Sequence, residues 1–408
     1  NYSMFAVYSN TTAPAASAYM NAVYGGGGFP MLGTFGTSKF VSARSVVANT
    51  GPLSGMIVVG WAAEFLTGAG LGITSDTSGN MIVTGRYSAA LTLYNTGGAS
   101  GATLPLTGGN DGFIAKYTPA GTVSWAAKIA GTTTSDDRVN AVATDTSGNI
   151  FVTGQYAAAL TLSNSSGVSN AALPFTGVTD IFLAKYTSAG AVSWAAQIAS
   201  TGGDIGYGVA TDPSGNVLVT GQYGAALTLY DSNGISNAAL PITGGGTFDC
   251  FVAKYTTAGT VSWAARIASS GQDIGRAIAC DASGNVFVTG QYQAALTLYN
   301  AGSTITGATL PFTGGFDCFI AKYTSAGTVS WAARITGSDG ASPYIGYGIA
   351  TDTSGNVFVT GQYGSSLTLY NAGGTVPGTT LPFTGGYDVF VAKYTSAGAV
   401  SWAAQLAS

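Results

Sequence analysis

The phrase Trp-Ala-Ala occurs six times in this chain and contains every one of its tryptophans. Trp125, Trp194, Trp263, Trp331 and Trp402 each follow Val-Ser, whereas Trp61 keeps only the second half of the phrase. A second phrase, Asp-x-Ser-Gly-Asn, starts at Asp76, Asp145, Asp212, Asp281 and Asp352, at spacings of 69, 67, 69 and 71. Self-similarity at a fixed period constrains the fold more than local propensity does, because each unit must bury its apolar faces against its neighbours.

Within one unit four segments read as strands. In the fourth repeat these are a (Ile205 to Asp212), b (Asn216 to Tyr223), c (Asp249 to Tyr255) and d (Val261 to Ile267). The a–b and c–d links are short and rich in Asp, Ser, Thr and Gly, as tight hairpins require. Four antiparallel strands joined in this way form a meander. Apolar residues occupy both faces of segment c, with Phe251, Ala253 and Tyr255 on one and Cys250, Val252 and Lys254 on the other. A sheet wet on one side would alternate more cleanly, so each sheet is expected to be stacked between two others.

Stacked meanders of this kind predict an all-β, six-bladed β-propeller with four-stranded antiparallel blades. Blade 1 covers about residues 1–67, blade 2 about 68–131, blade 3 about 132–200, blade 4 about 201–269, blade 5 about 270–337 and blade 6 about 338–408. The glycines of segment a place it innermost, and d lies outermost. The polar residues near the end of d (Lys128, Gln197, Arg266, Arg334 and Gln405) are expected to discourage sheet addition there. A parallel β-solenoid is the alternative, but its coils are usually far shorter than this repeat.

The unit exceeds the roughly 40–45 residues of common propeller repeats. Its surplus, such as Leu296 to Asn300 followed by Leu310 to Gly314, reads as an extra β-hairpin between b and c. This hairpin is expected on the same face as the d–a loops, whose longest member is Gly337 to Ile345. Blade 1 is divergent. Phe29-Pro-Met, Lys39-Phe-Val and Val58 to Glu64 match later parts of the repeat, Met4 to Ser9 matches segment b, and no segment a precedes it. An open inner edge in the first blade is therefore expected.

Residues 281–290 (Asp-Ala-Ser-Gly-Asn-Val-Phe-Val-Thr-Gly), 317–323 (Asp-Cys-Phe-Ile-Ala-Lys-Tyr) and 325–331 (Ser-Ala-Gly-Thr-Val-Ser-Trp) together resemble the SBBP β-propeller repeat. The resemblance covers residues 70–408 well and 1–69 weakly. It implies a propeller found mainly in secreted or surface proteins of bacteria and in some large DNA viruses. It brings no catalytic residues, and the b–c hairpin departs from the shorter family pattern.

The chemistry-bearing residues are few. Histidine is absent, which removes the commonest general base and metal ligand. Charged residues make up 7% and net charge is −4, with no basic cluster to suggest nucleic acid. The longest apolar stretch, Gly55 to Leu66, contains Glu64 and is too short to span a bilayer. Cys250, Cys280 and Cys318 read as small buried residues rather than as a disulfide framework. Asp-x-Ser-Gly-Asn lacks the ligand spacing of an EF-hand loop and reads as a hairpin turn. Sequons at Asn1, Asn10 and Asn164 are no more than chance supplies in so Ser/Thr-rich a chain. Neither catalytic residues nor a cofactor or metal site is expected.

Lys116, Lys185, Lys254, Lys322 and Lys393 recur in segment c, which opens with Asp111, Asp180, Asp249, Asp317 and Asp388. Each is expected to meet a partner on the next blade, because a buried Lys needs a paired charge. Asp204, Asp273 and Asp339, with Tyr230, Tyr299 and Tyr370, are the candidate ligand or partner face on the loop side. Near-identical blades and low surface charge point to a non-catalytic structural or interaction protein of an extracellular surface, cell surface or virion. It would work through protein partners or self-assembly. The alternative is a carbohydrate-binding or adhesion module. The tryptophan rings are expected to be mostly buried between blades, which would set the cost of Trp263→Ala at roughly 3–5 kcal/mol.

Overall fold

The computed structural model describes residues 68–407 apart from 132–135, 244–247, 303 and 338. The described residues hold strands and turns and no helix. The four expected segments of the repeat are all present. In the fourth repeat they are a, Ile205–Thr211; b, Val217–Tyr223; c, Asp249–Tyr255; and d, Val261–Ala268. They pair in sequence order, antiparallel throughout.

The sheet does not stop at d. The hairpin of the next repeat, Leu296–Tyr299 and Thr306–Leu310, adds to its outer edge, with Ile267 opposite Leu298 and Ala268 opposite Thr297. Three other hairpins do the same: Ile129 faces Leu162, Ile198 faces Leu229 and Ile335 faces Leu369. Four sheets are thus six-stranded, whereas the expectation was four strands with a hairpin kept in its own blade. The reason is burial. Leu296 and Leu298 are fully buried in the cluster shared by the preceding blade and their own, where a hairpin projecting into solvent would leave them wet.

The polar residues near the end of d do not protect the edge, contrary to expectation. Two of them, Arg266 and Arg334, bind the incoming hairpin instead, whereas Lys128, Gln197 and Gln405 bond groups of their own repeat. The Arg266 guanidinium lies 3.9 Å from the centroid of Tyr299, and that of Arg334 lies 4.1 Å from Tyr370. The hairpin Leu91–Tyr94 and Ser100–Leu104 forms its own two-stranded sheet. The last blade (Ile345–Thr351, Val357–Tyr363, Asp388–Tyr394, Val400–Leu406) has four strands among the described residues.

Blades stack through apolar clusters, one per interface. Ile181, Leu183 and Ile198 of one blade meet Val217, Val219 and Phe251 of the next. Inner strands touch in sequence order from Gly68–Ser75 through Ile345–Thr351. The arrangement is propeller-like, but the sheets are not seen to close into a ring among the described residues. Blade 1 with Trp61, and the proposed strand at residues 4–9, lie outside them.

Every inner strand carries a β-bulge at its third position or the equivalent: Leu71, Asn140, Tyr207, Arg276 and Tyr347 have no partner in strand b. The bulge explains the Thr-Gly-Gln of strand b. A Cβ on Gly290 would stand 1.9 Å from the carbonyl oxygen of Ile274, and one on Gly221 would stand 2.0 Å from that of Ile205. The turn glycines answer a different need, since Gly215 and Gly284 take φ of 76° and 80°.

The tryptophans meet the expectation of burial between blades in part. Trp331 is buried, Trp125, Trp194 and Trp263 are partly buried, and Trp402 is 44% exposed. Trp263→Ala should therefore cost about 1–3 kcal/mol, below the full-burial range, in a denaturant titration. Gly290→Ala should cost more than an ordinary Gly substitution, about 2–3 kcal/mol, because backbone must move to admit the methyl. A Gly290→Ala protein as stable as the parent would remove the bulge explanation.

Candidate functional site

Asp-x-Ser-Gly-Asn closes on itself. Asp212 Oδ1 accepts the N–H groups of Ser214 and Asn216, both at 2.9 Å, and Oδ2 accepts the Asn216 amide at 2.9 Å. The remaining reach of Oδ2 goes to Lys254, at 2.8 Å. Asp76 and Lys116 repeat the pair at 2.9 Å, and Asp352 and Lys393 at 3.4 Å. Lys254 and Lys116 are each less than a tenth exposed. Burial alone would raise Asp212, but hydrogen bonds from Lys254 and Asn216 outweigh it and hold the carboxyl below its ordinary value.

The same lysines reach the next blade. Lys116 Nζ donates to the Ser188 carbonyl at 3.1 Å, and Trp125 Nε1 donates to that same oxygen at 3.1 Å. Lys254 and Trp263 share the Ser325 carbonyl at 3.4 and 3.0 Å. Lys185 with Trp194 and Lys322 with Trp331 repeat the arrangement on Thr257 and Ser396. Three of these indoles also stack on a tyrosine of the next blade: Trp125 on Tyr186, Trp263 on Tyr323 at 6.2 Å and Trp331 on Tyr394. The expected tie between blades is thus made by Lys and Trp on a backbone carbonyl. The carboxylate partner of the lysine belongs to its own blade.

The acids that open strand c do not cross to the next blade. Asp249 Oδ2 accepts the Thr243 N–H at 2.7 Å and the Tyr223 hydroxyl at 3.4 Å, both within its repeat. These acids brace the base of the outgoing hairpin. Tyr223 itself donates to the Pro241 carbonyl there, at 2.9 Å.

The candidate loop face is mostly internal structure. Asp204 and Asp273 are fully buried. Asp204 accepts the Ser200 hydroxyl at 2.7 Å and the Gly224 N–H at 3.1 Å, which ties the d–a loop to the start of the hairpin. Asp273 accepts the Ser269 hydroxyl at 2.8 Å. Asp339 is exposed and accepts the Tyr344 hydroxyl at 2.8 Å. Tyr344 stands where earlier repeats have Asp204 and Asp273, so the longer loop returns a carboxylate by another route. Tyr299 and Tyr370 have arginines on their faces, and Tyr230 lines an open rim groove with Trp194, Asp231 and Asn233. The structure therefore does not bring these six residues together as one site.

Cys250 and Cys318 are fully buried, and burial pushes the Cys318 thiol up to about 12, far from a reactive thiolate. The three cysteines are unpaired. Spacing gave no sign of Arg276, whose guanidinium lies 5.0 Å from the Tyr207 ring centroid and 6.0 Å from that of Tyr347. The only available signal was that this position differs from repeat to repeat while its neighbours scarcely change.

The SBBP β-propeller repeat model matches residues 193–222 and 331–362, so the chain carries repeats of that family. An uncharacterized WD repeat-containing protein of Acanthamoeba polyphaga mimivirus is 29% identical over 384 residues, covering 81% of this chain and 27% of that protein. Regulatory protein FlaEY of Caulobacter vibrioides is 26% identical over 244 residues, covering 60% of this chain and 22% of that one. The chain thus spans about a quarter of the length of the curated relatives it matches. Virginiamycin B lyase from Staphylococcus aureus aligns over 85% of this chain and 88% of its own, at 11% identity and TM-score 0.35. A likeness that low carries no weight for mechanism.

The buried carboxyls make stability depend on pH. Burial raises Asp204 to about 6, Asp249 to about 7 and Asp273 to about 8. Groups raised in the folded state contribute stability that is full in acid and fades as pH climbs from about 4 through 8. Asp76 and Asp212 are lowered, so their contribution is lost as pH falls below about 4. The melting temperature should peak between about pH 4 and 6 and decline toward pH 8, with Asp273→Asn flattening the decline. A melting temperature that rises steadily from pH 5 to 8 would contradict the raised values.

Proposed function

We propose that this chain is a non-catalytic interaction protein whose repeats dock through their blade faces, working on an extracellular surface or in a particle such as a virion. The observation behind this is the outer face of the last blade. Phe358, Thr360, Val389 and Val391 are partly exposed there, and Trp402 is the most open tryptophan. Their counterparts one blade earlier, Phe287, Thr289, Cys318 and Ile320, are fully buried under the next blade. The outer strand Val400–Leu406 also pairs with no hairpin among the described residues. Such a face and edge suit a further unit of the same chemistry, which would add a strand pair and cover the apolar surface. That unit is supplied either by residues 1–67 of this chain, which lie outside the described residues, or by a second copy. The near-identity of the blades supports this reading too, since a catalytic centre needs one asymmetric place.

A second reading, glycan binding, is favoured by the rim groove of about 860 Å³ along Trp194, which presents Asn170, Asn233 and Ser193 beside an indole. A similar groove lies along Trp263.

Analytical ultracentrifugation across a concentration series separates the readings. The parent chain is expected to self-associate, and Phe358→Ser with Trp402→Ala to abolish association while leaving the melting temperature nearly unchanged. A parent chain that stays monomeric at every concentration, yet is retained on a glycan surface, would replace the first reading by the second.

A further inference from the structure

The bend of each outgoing hairpin closes on the same kind of residue. The N–H that opens the bend donates to the carbonyl that closes it, from Asn164 to Val168, Asp231 to Ile235, Asn300 to Ile305 and Asn371 to Val376. In the second repeat the pair is Asn95 and Ala99. Val168, Ile235, Ile305 and Val376 are 58, 59, 68 and 59% exposed, and they are four of the eight large hydrophobic side chains exposed among the described residues. Exposed aliphatics scattered singly are ordinary on a protein surface, but one at the same place in four successive repeats is a pattern. The backbone does not demand it. Threonine has the same branched shape at Cβ, suits an extended position equally and is polar.

The bends are held rigidly at one end of the blades. With Thr228 opposite Ala199 and Leu229 opposite Ile198, the hairpin runs back along strand d, away from the d–a loop where it springs. Its bend then meets the c–d turn of its own repeat. The Ser165 N–H donates to the Gly190 carbonyl at 2.8 Å, that of Ser232 to Gly259 at 2.9 Å, and those of Ala301 and Ala372 to Gly327 and Gly398 at 2.8 Å. Inside the bend Asp231 Oδ1 accepts the N–H groups of Asn233 and Ile235 at 2.8 and 2.9 Å. Asn164 does the same for Ser166 and Val168 at 3.0 Å. Tips fixed in this way lose little freedom on contact.

In a meander the a–b and c–d turns share one end, so the four tips rim the end that carries the Asp-x-Ser-Gly-Asn turns. Exposed turn residues there are small and uncharged, as Ser188, Thr257 and Ser325 are. Asp145, Asp231 and Asp281 are buried, and Asp352 is paired with Lys393.

We propose that this end of the blades is a second contact surface between copies of the chain, docked face to face through Val168, Ile235, Ile305 and Val376. A partner that meets equivalent tips one blade apart must offer equivalent features at the same spacing, and another copy of the chain does so. Two such faces also meet without like-charge repulsion. A lipid surface fits less well. One aliphatic per tip inserts little, and Lys185 and Lys322 are engaged by turn carbonyls rather than held out toward anionic headgroups. Four small tips make a weak contact by themselves, so the proposal rests on the reading that copies first associate through the last blade's outer face.

The test combines sedimentation with thiol labelling of the intact chain. Val168→Thr, Ile235→Thr, Ile305→Thr and Val376→Thr together are expected to weaken association at least about ten-fold, with the melting temperature of the dilute protein unchanged. Ile235→Cys in the otherwise unaltered chain should react with a maleimide several-fold more slowly at concentrations where the chain associates. It should react at one rate at every concentration once Phe358→Ser and Trp402→Ala are added. Val178→Cys, 69% exposed beside the d–a loop at the opposite end, should react at one rate in both backgrounds. A chain that associates with Ile235→Cys unprotected, or as tightly with the four threonines as without them, would overturn this contact and leave the last blade's face standing. A chain monomeric at every concentration would overturn both, leaving the tips to residues 1–67 or to no partner. Co-flotation with phosphatidylcholine vesicles that the four threonines abolish would assign the tips to a membrane and overturn the proposal.

Discussion

A sheet that is apolar on both faces cannot stand alone in water, and this constraint runs through the whole molecule. Strand c of the fourth repeat is buried at every one of its seven residues, with a blade on either side. The cost of leaving one such face open falls on a whole row of side chains at once. The chain meets the demand twice. Faces stack through aliphatic and aromatic clusters, and four of the five described repeats also lend their hairpin to the edge of the blade before. Covalent neighbours in sequence are thereby interlocked, and an interior blade cannot leave without unpairing strands on both sides.

The polar residues of the repeat serve the same stacking. A lysine buried between sheets would be expensive without compensation. Lys254 has it from Asp212 and the Ser325 carbonyl, and the indole of Trp263 shares that carbonyl. The carboxylate is in turn fixed by the turn's own N–H groups, so the hairpin, the lysine and the next blade form one connected network. Four of the five recurrent lysines, Lys116, Lys185, Lys254 and Lys322, thus make one joint at each described interface between blades. Where repetition relaxes, at the bulge, the fold leaves room for a side chain that the joint does not use.

The repeat was legible in the sequence because its causes are local. Asp212 and Asn216 close a turn within five residues, and the apolar run Val217 to Val219 of strand b reports burial without reference to any other segment. Boundaries of a, b, c and d could therefore be read to within a residue or so, as could the sense of pairing. The family match at residues 193–222 and 331–362 follows from those same local phrases.

Destinations were not legible. Leu296 and Leu298 announce a buried hairpin, but nothing local says that the buried side lies against the preceding blade rather than their own. The identity of a lysine's partner, the exposure left on a tryptophan and the burial of Asp204 and Asp273 depend in the same way on which edges meet. Arg276 shows the limit most plainly. The sequence by itself made it one variable residue in an inner strand. Only the tertiary structure brought Tyr207 and Tyr347 to its two sides, because they lie about 70 residues away along the chain, roughly one repeat in each direction, and become neighbours solely by the stacking of blades.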